Sequence, residues 1–286
     1  MENQVCLITG ANSGIGQVTA RELARAGMTV LMVCRDVRKG EAARREIVAA
    51  TGNGRVALLR CDLSDQEDIV QLAEDVRRQH DHLDVLLHNA GLIGEKRTLT
   101  AQGLETTLAV NHLAPFLLTH LLLPLLRRSR EPRIVTVSSE AHRFARLDFN
   151  DLQSEKRYAP LVAYADSKLA NILFTRSLAN QLRGEGITAN CLHPGGVATN
   201  FGSGFGGGLL GLAMTLARPF FISPEKGAET SIFLASSPAV KGVSGQYFDR
   251  KKPKEPSQKA LSHYNAQRLW EISEQLTRTR ERMTND

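Results

Sequence analysis

The chain has 286 residues, 42% hydrophobic and 23% charged, which suits one large α/β unit with its own core and excludes fibrous, disulfide-stapled and disordered classes. Lys plus Arg exceeds Asp plus Glu by 36 − 30 = 6, but the basic residues are spread along the chain and aromatics are only 5%, too few for a base-stacking nucleic-acid platform. Cys6, Cys34, Cys61 and Cys191 show no metal-ligand spacing, so neither a metal site nor a disulfide framework is expected and the thiols read as small buried groups in a reducing compartment.

Short β-branched apolar runs alternate with longer stretches of helical period, the pattern of a parallel sheet with crossover helices. The runs Gln4–Thr9, Thr29–Cys34, Val56–Cys61, Leu83–His88, Arg133–Ser138 and Ile187–His193 are expected strands, with Gly245–Phe248 as a seventh. Helical segments lie near 15–26, 38–50, 65–80, 101–128, 161–183 and 224–236. Ser64 three residues before Glu67 reads as a capping box, and Gly27 and Gly184 stand where helices should end. Right-handed crossovers then give a Rossmann-type doubly wound sheet of about seven strands, helices on both faces. No uninterrupted apolar run reaches the ~18 residues of a membrane span, and no leader is expected before the first strand. A cytoplasmic protein is the expectation.

Three segments exceed this pattern. Ala141 to Pro160 lengthens the link after the fifth strand. Residues 200–223 hold six glycines between Gly202 and Gly211, then the apolar stretch Leu209–Ala217. That composition reads as a substrate lid with a short helix, or as a peripheral membrane contact. Its Phe201, Phe205, Leu209, Leu210, Leu212, Met214, Phe220 and Phe221 are apolar enough for a hydrophobic substrate. From Arg250, a linker with Lys251, Lys252, Lys254 and two prolines leads to a helix carrying Leu261, Leu269, Trp270, Ile272 and Leu276. The expected organisation is one catalytic domain over 1–249, lid included, with 250–286 packed upon it.

The first strand runs into Thr9-Gly10-Ala11-Asn12-Ser13-Gly14-Ile15-Gly16 and then a helix. Between a strand and a helix, such glycines let the backbone approach a pyrophosphate, whose charge the helix N–H groups and macrodipole favour. The spacing is GxxxGxG, and further motifs follow in order: Asn89-Ala90-Gly91 after the fourth strand, Asn111 in the next helix and Ser138-Ser139 ending the fifth strand. Tyr164-Ala165-Asp166-Ser167-Lys168 then opens a helix, and Pro194-Gly195-Gly196-Val197-Ala198-Thr199 follows the sixth strand. Over nearly its whole length the chain resembles the short-chain dehydrogenase/reductase family. The insertion before Tyr164, and a stretch from Tyr247-Phe248 through Lys254-Glu255-Pro256-Ser257, are similar to the retinol dehydrogenase-like branch. Many animal members of that branch carry an N-terminal membrane anchor before the first strand, which this sequence does not show.

Cofactor choice follows from charge at the end of the second strand, where such folds place an acid about 20 residues after the glycines to hold a ribose hydroxyl. Here Arg35 stands nineteen residues after Gly16, with Arg38 and Lys39 one turn on. A guanidinium suits a 2′-phosphate, so NADP(H) is preferred over NAD(H). Asp36 reads as the N-cap of the next helix, turned from the ribose. The resemblance implies that Asp62, with Leu63 beside it, meets the adenine. It also implies that Asn89, Ala90, Gly91, Pro194, Gly195 and Val197 line the dinucleotide and that Thr199 meets the carboxamide.

Hydride transfer to a carbonyl leaves charge on oxygen, so a proton donor and a polarising group must lie within hydrogen-bond reach. Tyr164 and Lys168 are i, i+4 on one helix face, and the ammonium together with an oxidised nicotinamide is expected to lower the tyrosine pKa from its ordinary ~10. The family pattern assigns the serine role to Ser139, the nicotinamide ribose to Lys168 and a supporting water to Asn111. His88, His112 and His193 read as structural. These residues describe an NADP(H)-dependent alcohol dehydrogenase or carbonyl reductase for a retinoid-, steroid- or long-chain-aldehyde-like substrate, without metal. A 3-oxoacyl or polyketide-type reductase and a non-catalytic cofactor-binding scaffold are the alternatives. The long helices 101–128 and 161–183 are the surfaces through which relatives form homo-oligomers, while Leu117, Leu118, Leu121, Leu122, Leu125 and Leu126 also suffice as intramolecular core.

Overall fold

The computed structural model describes residues 1–195 and 222–279. Its centre is an eight-stranded sheet in the order β3-β2-β1-β4-β5-β6-β7-β8. The strands are β1 (Val5–Thr9), β2 (Thr29–Cys34), β3 (Val56–Arg60), β4 (Val85–His88), β5 (Arg133–Val137), β6 (Thr188–His193), β7 (Tyr247–Asp249) and β8 (Lys252–Pro253). All neighbouring pairs are parallel except β7 with β8. The strand order reverses between β1 and β4, which opens a crevice above their carboxyl ends. Both the glycine loop after β1 and the Asn89 turn after β4 lie at that reversal.

The helices are α1 (Gly14–Arg25), α2 (Val37–Thr51), α3 (Gln66–Gln79), α4 (Thr106–Leu126), α5 (Pro160–Gln181), α6 (Pro224–Ser236), α7 (Gln258–Leu261) and α8 (His263–Thr277). One face of the sheet buries Leu7, Leu31 and Leu86 under Leu72 of α3, Leu117, Leu118 and Leu122 of α4 and Phe174 of α5. The other face buries Ile8, Met32 and Leu87 under Leu23 of α1, Ile47 of α2 and Leu234 of α6. Burial on both faces explains why the central strands read as unbroken apolar runs. Cys6, Cys34, Cys61 and Cys191 are buried free thiols.

Several expectations need correcting. The seven expected strands are joined by a short eighth, β8. β8 is two residues long and ends in proline, too short for a periodicity signal, and the supposed linker at Lys251–Lys252 is a hairpin whose Arg250 and Lys251 take left-handed φ values of 48° and 64°. The helix expected from 101 begins at Thr106, where the Glu105 carboxylate accepts the Thr107 and Leu108 N–H bonds. The N-cap of α3 is Asp65, which accepts from the Glu67 amide at 3.0 Å. Ser64 instead donates its hydroxyl to Asp62 at 2.7 Å. Finally, α4 is long and apolar enough to cross a membrane by length and composition, at mean hydropathy 1.5, although 94% of the relevant stretch is buried inside the protein.

The tail folds back on the body. Trp270 of α8 lies edge-on to Phe116, with ring centroids 4.9 Å apart, and stacks on Phe174 at 6.0 Å. Residues 200–221 of the expected lid fall outside the described residues.

Candidate active site

The glycine loop is shaped by close backbone approach. Gly10 and Gly14 take φ of +66° and +54°, conformations that cost side-chain-bearing residues energy. A Cβ on Gly16 would stand 2.3 Å from the Gly10 carbonyl oxygen and 2.5 Å from Asn89 Nδ2. Asn89 Nδ2 donates to the Thr9 and Gly10 carbonyls at 2.9 and 3.2 Å. Thr9 Oγ1 accepts from the Asn89 and Ala90 amides, both at 3.0 Å. The β1 loop and the Asn89-Ala90-Gly91 turn are thus one locked unit, and Thr9, the first residue of the glycine motif, supplies the hydroxyl that joins them. Ser13, at the N-cap of α1, makes no side-chain cap bond, and the first turn carries no acid. Its amides and dipole therefore suit an anion, as a dinucleotide pyrophosphate requires.

At the end of β2, Arg35 is exposed and lies 3.9 Å from Asp62. Arg38 and Lys39 are exposed one turn on. Asp36 caps α2, accepting the Lys39 amide at 3.1 Å. Asp62 faces this corner, with Leu63 next to it half-buried. Partial burial works against its charge, but bonds from the Ser64 hydroxyl and amide and the nearby Arg35 hold its carboxyl below the ordinary value. These residues fit the adenosine end of a dinucleotide.

Ser139, Tyr164 and Lys168 come together at the carboxyl end of β5. Ser139 stands two residues after that strand and caps a short 3-10 helix, Glu140–Phe144, accepting the Ala141 amide at 3.2 Å. The Tyr164 hydroxyl shares a side-chain hydrogen bond with Ser139. The Lys168 ammonium lies 5.5 Å from the centre of the Tyr164 ring and donates to the Val137 carbonyl at 3.1 Å. Helix α5 is pinned to β5 by Ser138, whose hydroxyl donates to the Lys168 carbonyl at 2.7 Å.

The expected lowering of the Tyr164 pKa needs an oxidised nicotinamide as well as the ammonium, and burial by the protein acts in the opposite direction. Burial pushes the Tyr164 hydroxyl up to about 12, and the bond with Ser139 offsets this only in part. Burial also pushes the Lys168 ammonium down to about 8. The lysine lies over the ring and donates to a carbonyl, and burial is the largest influence on both groups.

Asn111 is fully buried in a π-helical turn, Ala109–Leu113, inside α4. Its Oδ1 accepts the Leu92 amide at 2.8 Å, and its Nδ2 donates to the Leu92 carbonyl and to Ser167 Oγ, both at 2.9 Å. The side chain therefore clamps the strand-β4 loop to α5. Both of its N–H groups are used, so the expected water support cannot come from that amide nitrogen. Pro194 and Gly195 follow β6, with Gly195 at φ +87° and its amide donating to His193 Nδ1 at 3.1 Å. Val197 and Thr199 lie outside the described residues. His88 bonds Thr119 at 2.8 Å and His112 bonds Ser273 at 2.9 Å, both far inside the packing. Among the described residues no His, Cys, Asp and Glu cluster suits a metal ion.

Residues 4–205 match the short chain dehydrogenase family. The chain is 45% identical to retinol dehydrogenase 12 of Mus musculus, over 94% of this chain and 85% of that one. It is 43% identical to retinol dehydrogenase 14 of the same organism, over 96% and 86%. A solved structure from Mycobacterium paratuberculosis is similar at TM-score 0.78 and 36% identity, covering 97% of this chain and 94% of that one. A short chain dehydrogenase from Shigella flexneri complexed with NADP is similar at TM-score 0.70 and 27% identity, covering 88% and 98%. With the glycine loop, the Ser139–Tyr164–Lys168 geometry and these likenesses, the chain belongs to the short-chain dehydrogenase/reductase family, in its retinol dehydrogenase-like branch, and is an oxidoreductase acting on CH–OH groups.

Proposed function

We propose that the chain is an NADP(H)-dependent oxidoreductase that interconverts an alcohol and an aldehyde or ketone of a hydrophobic, retinoid-like substrate, with Ser139, Tyr164 and Lys168 as its catalytic set. The observation that carries this reading is the meeting of the bonded Ser139 and Tyr164 hydroxyls with a buried ammonium over the tyrosine ring. When bound, the nicotinamide supplies or takes up the hydride. Ser139 holds the substrate oxygen beside Tyr164 Oη. Tyr164 is protonated at neutral pH, as an ordinary phenol is and as burial reinforces, so in reduction it releases its hydroxyl proton to that oxygen as negative charge develops there. Lys168, protonated below about 8, stabilises the phenolate left behind. In oxidation the same oxygen recovers the proton from the alcohol.

The 2′-phosphate preference is supported by the exposed Arg35, Arg38 and Lys39 and by the use of Asp36 as a helix cap. A retinoid-like substrate is supported by the activity named for the relatives. Exposed Phe144 and Leu161, in the helix after Ser139 and at the start of the helix carrying Tyr164, suit apolar molecules.

A screen of retinaldehyde, long-chain aldehydes, steroid ketones and 3-oxoacyl thioesters with NADPH and NADH tests the reading. Aldehyde reduction with NADPH is expected, and Tyr164→Phe should lose on the order of 10²–10⁴ in kcat while still binding NADPH. Turnover of thioesters alone overturns the substrate class. An undiminished Tyr164→Phe, or NADPH binding without turnover of any carbonyl, overturns the catalytic assignment.

A further inference from the structure

The family match ends at residue 205, yet the chain returns to the active site well beyond it. Ser139 is followed by Glu140 and, one turn later, by His142, whose ring is fully buried. Two bonds determine its tautomer. Nδ1 meets the Ser139 carbonyl oxygen at 2.7 Å, so it must donate, and Nε2 meets the Ser257 amide at 3.1 Å, so it must accept. The ring is therefore a neutral bridge between the main chain of Ser139 and that of Ser257, 115 positions beyond His142. Burial, opposed by the Ser139 carbonyl bond and the Glu140 charge and aided by Arg143 and His193, holds this imidazole below the ordinary histidine pKa.

Other contacts tie the same two stretches together. The Tyr247 hydroxyl donates to Glu140 Oε1 at 2.9 Å. Lys254 Nζ lies 3.1 Å from both Glu140 and Asp249. Arg143 donates to the Glu255 carbonyl at 3.0 Å. The Tyr247 ring sits between His142, edge-on at 5.2 Å, and His193, stacked at 5.8 Å. Packing alone would be met by apolar side chains. A neutral donor–acceptor bridge with a ring of charge-assisted bonds instead specifies direction, because each bond is angle-dependent and costly to leave unmade.

We propose that His142 is a positioning residue that makes the segment Tyr247–Ser257 a brace for the catalytic turn, setting the direction of the Ser139 hydroxyl from behind. The proposal rests on the role given to Ser139 above. It deepens that role by locating what aims the serine in a part of the chain outside the family match.

Ser257 offers a selective cut, because its φ of −66° is already the value proline imposes. Ser257→Pro removes the amide that His142 accepts from, and the Ser257 hydroxyl that it also removes makes no cap bond. The full chain, wild type and variant, is compared with His142→Phe, which keeps a ring against Tyr247, and with His142→Asn, which keeps a donor towards the Ser139 carbonyl. Ser257→Pro and His142→Phe should lower kcat by about 10- to 100-fold, the cost of a small misplacement at a reacting centre, with KM for NADPH unchanged. His142→Asn should recover most of the loss. Amide hydrogen exchange should quicken in residues 139–145 of the first two variants and not in the third. Unchanged kcat and exchange in Ser257→Pro and His142→Phe would overturn the brace, as would an equal loss of NADPH binding. If the wild type turns over no carbonyl substrate, the functional reading fails, and the exchange pattern alone still decides whether the segment holds the Ser139 turn.

Discussion

Replacing Lys168 by methionine separates what the ammonium does for chemistry from what it costs the fold. The side chain is 2% exposed, and burial takes its pKa from 10.5 to about 8. That gap corresponds to about 3 kcal/mol of stability lost at neutral pH. Methionine fills a similar space, and loss of the Nζ bond to the Val137 carbonyl costs about 1 kcal/mol. The carbonyl keeps a 3.4 Å contact with Asn171 Nδ2. Lys168→Met should therefore be inactive and about 2 kcal/mol more stable at pH 7, a trade of activity against stability. Because the folded lysine gives up its proton near 8 and the unfolded one near 10.5, wild-type stability rises across that interval relative to the variant. The difference seen at pH 7 should shrink by pH 10. Urea unfolding at the two pH values measures it. A variant less stable than wild type at pH 7, or a difference independent of pH, would refute the reasoning.

Gly16→Ala forces a Cβ against the Gly10 carbonyl, which is backbone and cannot swing aside. It should cost about 1–3 kcal/mol and weaken NADPH binding, read by thermal melting and by cofactor titration. Unchanged affinity would remove Gly16 from the cradle. Arg35→Asp should lower the ratio of kcat/KM for NADPH over NADH by about 10- to 100-fold, the worth of a charge-assisted hydrogen bond. A constant ratio would reject the 2′-phosphate assignment.

The parts of the fold legible in the residue order are those where local chemistry leaves one solution. Gly10 and Gly14 occupy left-handed backbone, and Thr29–Cys34 and 224–236 match β2 and α6 end to end. Tyr164 and Lys168 share a helix face because of their spacing alone. What the order did not disclose depends on distant neighbours. The π turn at Asn111 exists because its amide is held by Leu92 and Ser167. Asp65 replaces Ser64 as the α3 cap because the serine hydroxyl is taken by Asp62. The high Tyr164 pKa comes from desolvation, which follows from packing and not from the i, i+4 charge. The contacts of His142 with Ser257 join residues with no shared pattern.

The chain contains a single tryptophan, Trp270, and the tail sets it among Phe116, Phe174 and His120. An intrinsic fluorophore thus sits at the seam between the carboxy-terminal helix and the body. Its emission will report detachment of that helix without any label, so loosening of the tail can be followed separately from collapse of the sheet.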